Sequence, residues 1–147
     1  MLEFHAYGPS DTVGFIEINQ ISEFLHNHLD EYGDEKEDIQ KAINYALNKG
    51  ITPGGFVLIG KEDNDIIGAV VVNKTGMDGY IPENILVYIA THREKRGKGY
   101  GKALMTKAIE MADGDIALHV EPNNPAKILY EKLGFTNKYL EMRLIKN

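Results

Sequence analysis

The chain has 147 residues, is 43% hydrophobic and 26% charged, and carries a net charge of −6. These are the proportions of one soluble globular domain that buries about two thirds of its unfolded surface. The absence of cysteine excludes a disulfide framework, a thiol nucleophile and a zinc–thiolate site, and the acidic balance speaks against general nucleic-acid binding.

No apolar run approaches the roughly 20 residues that cross a bilayer. The polar start MLEFHAYGPSD lacks the pattern of a signal peptide. A cytoplasmic protein without a membrane partner is expected. In chain order, residues 2–7 alternate weakly and predict a first strand, followed by a break at GPSD with Ser10 as a helix cap. Phe15, Ile18, Ile21, Leu25 and Leu29 recur every three or four positions, predicting an amphipathic helix. A second helix is predicted from about Asp34, with Ile39, Ala42, Ile43, Ala46 and Leu47 inward and a stop at Gly50. FVLIG (56–60) and IIGAVVVN (66–73) predict an antiparallel hairpin around the five-residue turn KEDND. ILVYIA (85–90) reads as a further strand, and a glycine-rich basic loop leads into a helix that ends near Ala112. Another strand is predicted at 116–120. A short helix follows, capped by Asn124, started by Pro125 and stopped by Gly134. YLEMRLI (139–145) alternates and predicts a closing strand. The order implies an α/β fold: a mixed β-sheet with helices on both faces.

The charge is unevenly spread. Residues 93–107 hold six basic side chains against Glu94 alone, a local +5 that leaves −11 for the rest. At its centre stands RGKGYG, residues 96–101. A Walker A loop would need glycine where Arg96 stands and a hydroxyl where Ala103 stands. A dinucleotide fingerprint would need glycine where Lys102 stands. What the segment does satisfy is R-x-x-G-x-G, through Arg96, Gly99 and Gly101. Glycines there let backbone N–H groups turn inward as a nest, and the following helix start adds its positive end; both suit a pyrophosphate. A side chain at Gly99 or Gly101 is expected to obstruct that approach and to meet a positive φ.

With ILVYIATHREK before it, IALHVEPNNPAKILYEKLGF after it and IIGAVVV upstream, this motif resembles the GNAT superfamily of acetyl-CoA-dependent N-acetyltransferases over roughly residues 55–136. The resemblance implies a GNAT-like sheet in which two parallel strands, 85–90 and 116–120, splay to form the acetyl-CoA site. It implies acetyl-CoA as co-substrate, with no metal. It assigns coenzyme binding to Arg96, Gly97, Lys98, Gly99, Tyr100, Gly101 and Lys102, to the backbone of Ile89, Ala90 and Thr91, and to Lys127 and Tyr130. One asparagine, Asn123 or Asn124, belongs to the same set, the spacing leaving open which. Arg93 stands where the family usually has proline. The tail after Phe135 leaves little room for the family's last two strands.

Acyl transfer to an amine needs a polarised carbonyl, a neutral amine and a stabilised leaving thiolate. By resemblance Tyr130 is the general acid. His119 and Glu121, which share one face of their strand, and Glu83, at the start of strand 85–90, are rival bases; an amine arriving neutral needs none. The implied function is N-acetylation of a primary amine of a small molecule or peptide, in a ternary complex and by a monomer or homodimer. A non-catalytic acyl-CoA sensing module on the same fold is the alternative. Asp30, Glu31, Asp34, Glu35, Glu37 and Asp38, with Glu23 nearby, form an acidic segment that by resemblance flanks the acceptor entrance. A cationic acceptor is therefore expected.

Overall fold

A computed structural model describes residues 1–48 and 51–147. The elements run β1 (Glu3–Tyr7), α1 (Phe15–His28), α2 (Lys36–Leu47), β2 (Gly55–Glu62), β3 (Asp65–Lys74), β4 (Asn84–Thr91), α3 (Tyr100–Met111), β5 (Ile116–Leu118) and α4 (Ala126–Lys132). Short 3₁₀ turns occupy Asp30–Tyr32 and Arg93–Lys95. The five strands form one mixed sheet in the order β1-β2-β3-β4-β5, antiparallel throughout except for the parallel pair β4–β5. No helix among the described residues is long and apolar enough to cross a membrane.

Strand alternation divides the interior into two cores. Val57, Ile59, Ala69, Val71, Tyr88 and Ala90 point to one face and pack against Ile21, Phe24 and Leu25 of α1 and Ile39, Ile43 and Ala46 of α2. Leu58, Val70, Val72 and Leu86 point to the other and meet Leu104, Met105 and Ala108 of α3 and Tyr130 of α4. The β2 and β3 central stretches are buried on both faces, which is why they read as near-continuous apolar runs rather than as strict alternations.

The sequence expectations hold for these elements, with four differences. The β2–β3 turn has two residues, Asp63 and Asn64, both with positive φ (51° and 69°). That geometry suits the right-handed twist of the paired strands and is one that Asp and Asn tolerate, so the strands extend through most of the expected loop. Ser10 lies in a turn closed by Asp11, whose N–H donates to the Gly8 carbonyl; α1 starts five residues later, after Gly14. Phe15, expected inward, is 80% exposed together with Ile16. The expected stop at Gly50 lies outside the described residues. The expected closing strand does not form: residues 139–145 join no strand, and Leu140, Met142 and Leu144 are more than 80% exposed. An alternating pattern needs a ladder partner to become a strand, and β5, three residues long, is a short edge to pair with.

One glycine is fixed by close approach. Gly55 pairs with Asn73, and a Cβ built on it would lie 2.0 Å from the Val72 carbonyl oxygen. Backbone, not a side-chain tip, would have to move. Gly55→Ala should therefore cost about 1–3 kcal/mol, the usual range for overpacking. In urea unfolding this appears as a lower midpoint with an unchanged slope; an unchanged midpoint would contradict the crowding.

Candidate active site

The feature that organises this region is an interruption in the sheet. β4 and β5 pair for three residues only, Asn84↔Ile116 to Leu86↔Leu118. On its other edge β4 stays paired with β3 up to Thr91↔Gly68. The β3–β4 register shifts where Val71 meets Tyr88 and Val72 meets Leu86, leaving Val87 as an extra residue. A bulge of this kind bends the strand and increases its local twist. It sits where the β5 pairing stops. From Val87 to Thr91, therefore, one edge of β4 has no strand beside it among the described residues, and Ile89, Ala90 and Thr91 all lie on that stretch.

The basic glycine loop follows directly. Gly97 and Gly99 have φ of +80° and +83°, conformations that side-chain-bearing residues rarely adopt, and open space surrounds both Cα atoms. Gly101 differs from expectation: it lies in the first turn of α3, without a positive φ, and a Cβ there would make ordinary 3.6 Å contacts with Leu129 and Thr91. The first intrahelical bond runs from the Ala103 N–H to the Gly99 carbonyl at 3.0 Å. The N–H groups of Gly101 and Lys102 precede it, so they belong to the unpaired donors of a helix start. Left-handed Gly97 and Gly99 directly before a helix N-terminus are backbone features from which anion-binding concavities are built in general.

The positive charge around that concavity is already partly spent. Arg93 and Arg96 both bind Asp30, at 2.6 and 2.9 Å. Lys95 pairs with Glu62 at 3.3 Å, and the Tyr100 hydroxyl donates to the same carboxylate at 2.5 Å. The Tyr100 and Lys95 hydrogen bonds hold the Glu62 carboxyl at a pKa of about 2. The Asp30 carboxyl is likewise lowered, by hydrogen bonds from Arg93 and then Arg96. Lys98 and Lys102 are exposed and make no ion pair among the described residues. Of the local +5 read from the sequence, these two side chains are the part left open at the mouth of the loop.

Across the gap, α4 begins after Asn124, whose Oδ1 accepts from the Ala126 N–H at 2.9 Å. That side chain acts as a cap. Asn123 is exposed, and its carbonyl accepts from the Tyr32 hydroxyl at 3.3 Å. Lys127 turns along its own helix to Glu131, at 3.0 Å. Tyr130 is buried in the cluster that contains Leu86 and against which Leu118 packs, the last two paired residues of β4 and β5. Its ring lies 6.1 Å from that of Phe135, and burial raises its phenol pKa above the ordinary value. Its hydroxyl has no hydrogen bond among the described residues.

The three candidate bases separate. β5 ends at Leu118, so His119 and Glu121 lie just beyond it. Both are exposed, while Leu118 and Val120 turn half-buried towards the core, as the alternation implies. Glu83 is a departure from expectation. It precedes β4, at the end of the strand opposite the gap, and its Oε1 accepts the Asp115 N–H at 2.6 Å. That bond, with further backbone N–H groups, lowers its pKa. Its carboxylate staples the 79–83 loop to the turn before β5 and is kept ionised by that task.

Long-range contacts add residues that no local pattern singled out. Tyr88, one residue past the bulge and buried, donates its hydroxyl to Asp34 at 2.5 Å; burial and then Asp34 raise its pKa. The α1–α2 connection thus reaches the site region at three points: Asp30 on the arginines, Tyr32 on Asn123, and Asp34 on Tyr88. Each pair is separated by more than fifty residues in sequence, which is why spacing could not reveal it.

Comparison with known proteins agrees with this arrangement. Residues 53–137 match the family model described as an acetyltransferase (GNAT) domain. No curated protein matches the sequence. Among solved structures, the chain is similar to an aminoglycoside acetyltransferase from an uncultured soil metagenomic sample (TM-score 0.70, 16% identity, covering 100% of this chain and 99% of that one). A possible acetyltransferase from Clostridium difficile 630 superposes with TM-score 0.69 at 17% identity, covering 99% and 97%. A structure described as a transcriptional regulator from Bacillus halodurans C-125 does so with TM-score 0.68 at 18% identity, covering 99% and 100%. At these identities the structural likeness speaks for the fold alone, whereas the family match spans more than half of the sequence; the chain belongs to the GNAT acetyltransferase family.

Proposed function

We propose that this protein is an acetyl-CoA-dependent N-acetyltransferase acting on a primary amine of a small molecule or peptide. The observation that carries the reading is the divergence of β4 from β5 after Leu86, beside a left-handed glycine loop at the start of α3. The unpaired edge of β4 over Ile89, Ala90 and Thr91 offers backbone hydrogen bonds to an extended amide-bearing chain such as pantetheine. The loop's N–H groups, the N-terminus of α3, Lys98 and Lys102 suit the coenzyme's pyrophosphate, and Lys127 and Asn123, at and just before the start of α4, are further candidates to contact the coenzyme.

Transfer proceeds by direct attack of the neutral amine on the thioester carbonyl. Nitrogen forms the new C–N bond, the C–S bond breaks, and the sulfur leaves as thiolate. Tyr130 is protonated at neutral pH, as a phenol with a reference pKa of about 10 is, and burial shifts it further the same way, so its hydroxyl can donate to the departing sulfur. In this reading His119 or Glu121, both exposed just beyond β5, takes the amine proton through water. Glu83 is not assigned that role.

For the loop, Gly99→Val imposes a β-branched side chain on a φ of +83° and projects it into open space where the ligand would approach. The variant folds, and its affinity for coenzyme A falls at least tenfold, about 1.4 kcal/mol. Calorimetry giving an unchanged affinity would remove the pyrophosphate assignment.

For the acid, Tyr130→Phe keeps the ring packing and deletes the hydroxyl. General acid catalysis is typically worth about 10²- to 10⁴-fold, so kcat should drop at least tenfold while acetyl-CoA binding persists. An unaltered kcat, with chemistry rate-limiting, would leave Tyr130 as a packing residue. Wild-type protein that binds acetyl-CoA yet releases no thiol with any amine would favour a sensing module.

The acceptor we propose is cationic. Asp30 is occupied by arginines and Asp34 by the Tyr88 hydroxyl, yet Glu31, Glu35 and Glu37 make no ion pair among the described residues. A negative rim raises the encounter rate of a cation, an effect that salt screens over about 8–10 Å. With amines of similar size and differing charge, kcat/KM should be largest for the cationic one and should fall as salt rises. A preference for an anionic amine, or indifference to salt, would overturn the steering.

A further inference from the structure

Arg96 opens the R-x-x-G-x-G motif, but its guanidinium is directed backwards. Nη1 donates to Asp30 Oδ2 at 2.9 Å, Nη2 to the His28 carbonyl at 2.6 Å and Nε to the Thr91 carbonyl at 3.3 Å. Arg93 does the same from three residues earlier: Nη2 donates to Asp30 Oδ1 and to the Asn27 carbonyl, both at 2.6 Å. The Arg93 backbone N–H donates to His28 Nδ1 at 3.1 Å. The two guanidinium groups thus cover the C-terminus of α1, where carbonyls lack helical partners and cations are favoured. One carboxylate, Asp30, closes both arrangements.

The surroundings are built to keep it there. Asp30 has a φ of +56°, a left-handed conformation unusual outside glycine but tolerated by Asp and Asn. His28 packs against His92 with ring centroids 4.3 Å apart, and Phe24 touches both, 4.6 Å from His28 and 6.4 Å from His92, all three pairs tilted. Burial first, then the neighbouring His92, Arg93 and Arg96, lowers the pKa of His28. A neutral imidazole is what the Arg93 N–H requires as acceptor. His92, at the end of β4, is tied to β3 by its N–H to the Ile67 carbonyl at 2.6 Å. The segment between β4 and Gly97 is therefore anchored on both sides before any ligand arrives.

From this geometry we infer that Asp30 is a positioning residue for the glycine loop: by holding Arg93 and Arg96 against the end of α1, it sets the orientation of the Gly97–Gly99 nest. The inference rests on the proposed reading of that nest as the coenzyme site, and it reassigns one residue within it. Arg96 is a strut, and the charge facing the pyrophosphate comes from the helix start with Lys98 and Lys102. Coenzyme affinity then depends on a side chain in the α1–α2 connection that the ligand does not touch.

The opposite mechanism makes the opposite prediction. Were Asp30 a competitor that restrains Arg96 from binding phosphate, its removal would free a cation and tighten coenzyme binding. Calorimetry of the full chain with coenzyme A, using Asp30→Asn, Arg96→Gln and the double variant, separates the two. Asparagine retains shape and tolerance of the left-handed φ while removing the charge, and Arg96 is solvent-exposed, so both variants are compatible with folding; thermal melts check this. Expected is at least about tenfold weaker binding in Asp30→Asn, which loses both arginines, and a smaller loss in Arg96→Gln, which keeps Arg93 on Asp30. The double shows no loss beyond that of Asp30→Asn, since the Arg96 tie is already gone there. Asp30→Asn binding as tightly as wild type or tighter would overturn the inference. So would additive losses, which would mean that Arg96 has its own contact with the ligand. Wild-type protein that fails to bind coenzyme A would instead overturn the underlying reading of the nest.

Discussion

A β-strand that keeps one partner and loses the other is the constraint on which the rest of this molecule depends. β4 is held by β3 along its whole length, yet β5 accompanies it for only three residues. The bulge at Val87 supplies the bend, and the 3₁₀ turn Arg93–Lys95 then carries the chain away from the sheet. Unpaired backbone in a protein interior is costly unless water or a ligand satisfies it, so the open edge must face solvent or a bound molecule. Around this stretch lie the glycine loop that follows β4, Tyr130 beside the last paired residues, and the α1–α2 connection, while Glu83 lies at the opposite end of the strand.

Electrostatics around the opening follow a division of labour that net charge conceals. Basic residues in the loop outnumber acids, yet three of them are bound to Asp30 and Glu62, carboxylates brought from β2 and from the end of α1. Those pairs are partly exposed, and pairs of that kind individually contribute little to stability. Their geometric value is larger. Bidentate use of Asp30 by two guanidinium groups fixes directions as well as distances, and a loop built from glycines has few other means of holding its shape.

How much of this was legible in the sequence depends on the range of the interaction. The paired β2 and β3 runs, the apolar stripe of α2 and the Asn124–Pro125 helix start follow from rules acting over a few residues, and the structure bears them out within a residue or two at most ends. The motif Arg96–Gly101 was equally visible, together with its strand–loop–helix setting. What could not be read was where side chains find partners fifty or more residues away. Thus neither the tie of Arg96 to Asp30 nor that of Tyr88 to Asp34 leaves a signature in the local pattern. The tail misled for the opposite reason. Its alternation obeys the local rule for a strand, but a strand also needs an edge to join, and no pattern within YLEMRLI reports whether one exists.

The sheet also acts as an energetic partition. Ile43 and Val71 lie in one core, Met105 and Val70 in the other, and the two apolar clusters share no member. Perturbations separated by more than about 7–10 Å and lacking common partners combine additively, so repacking of α1 and α2 leaves the α3–α4 side close to its original energy. Such a molecule can accumulate changes on one face while the opposite face stays fixed. Change in the layer of the first two helices is thereby decoupled from the architecture beneath the glycine loop, except at the rim where the end of α1 meets the arginines.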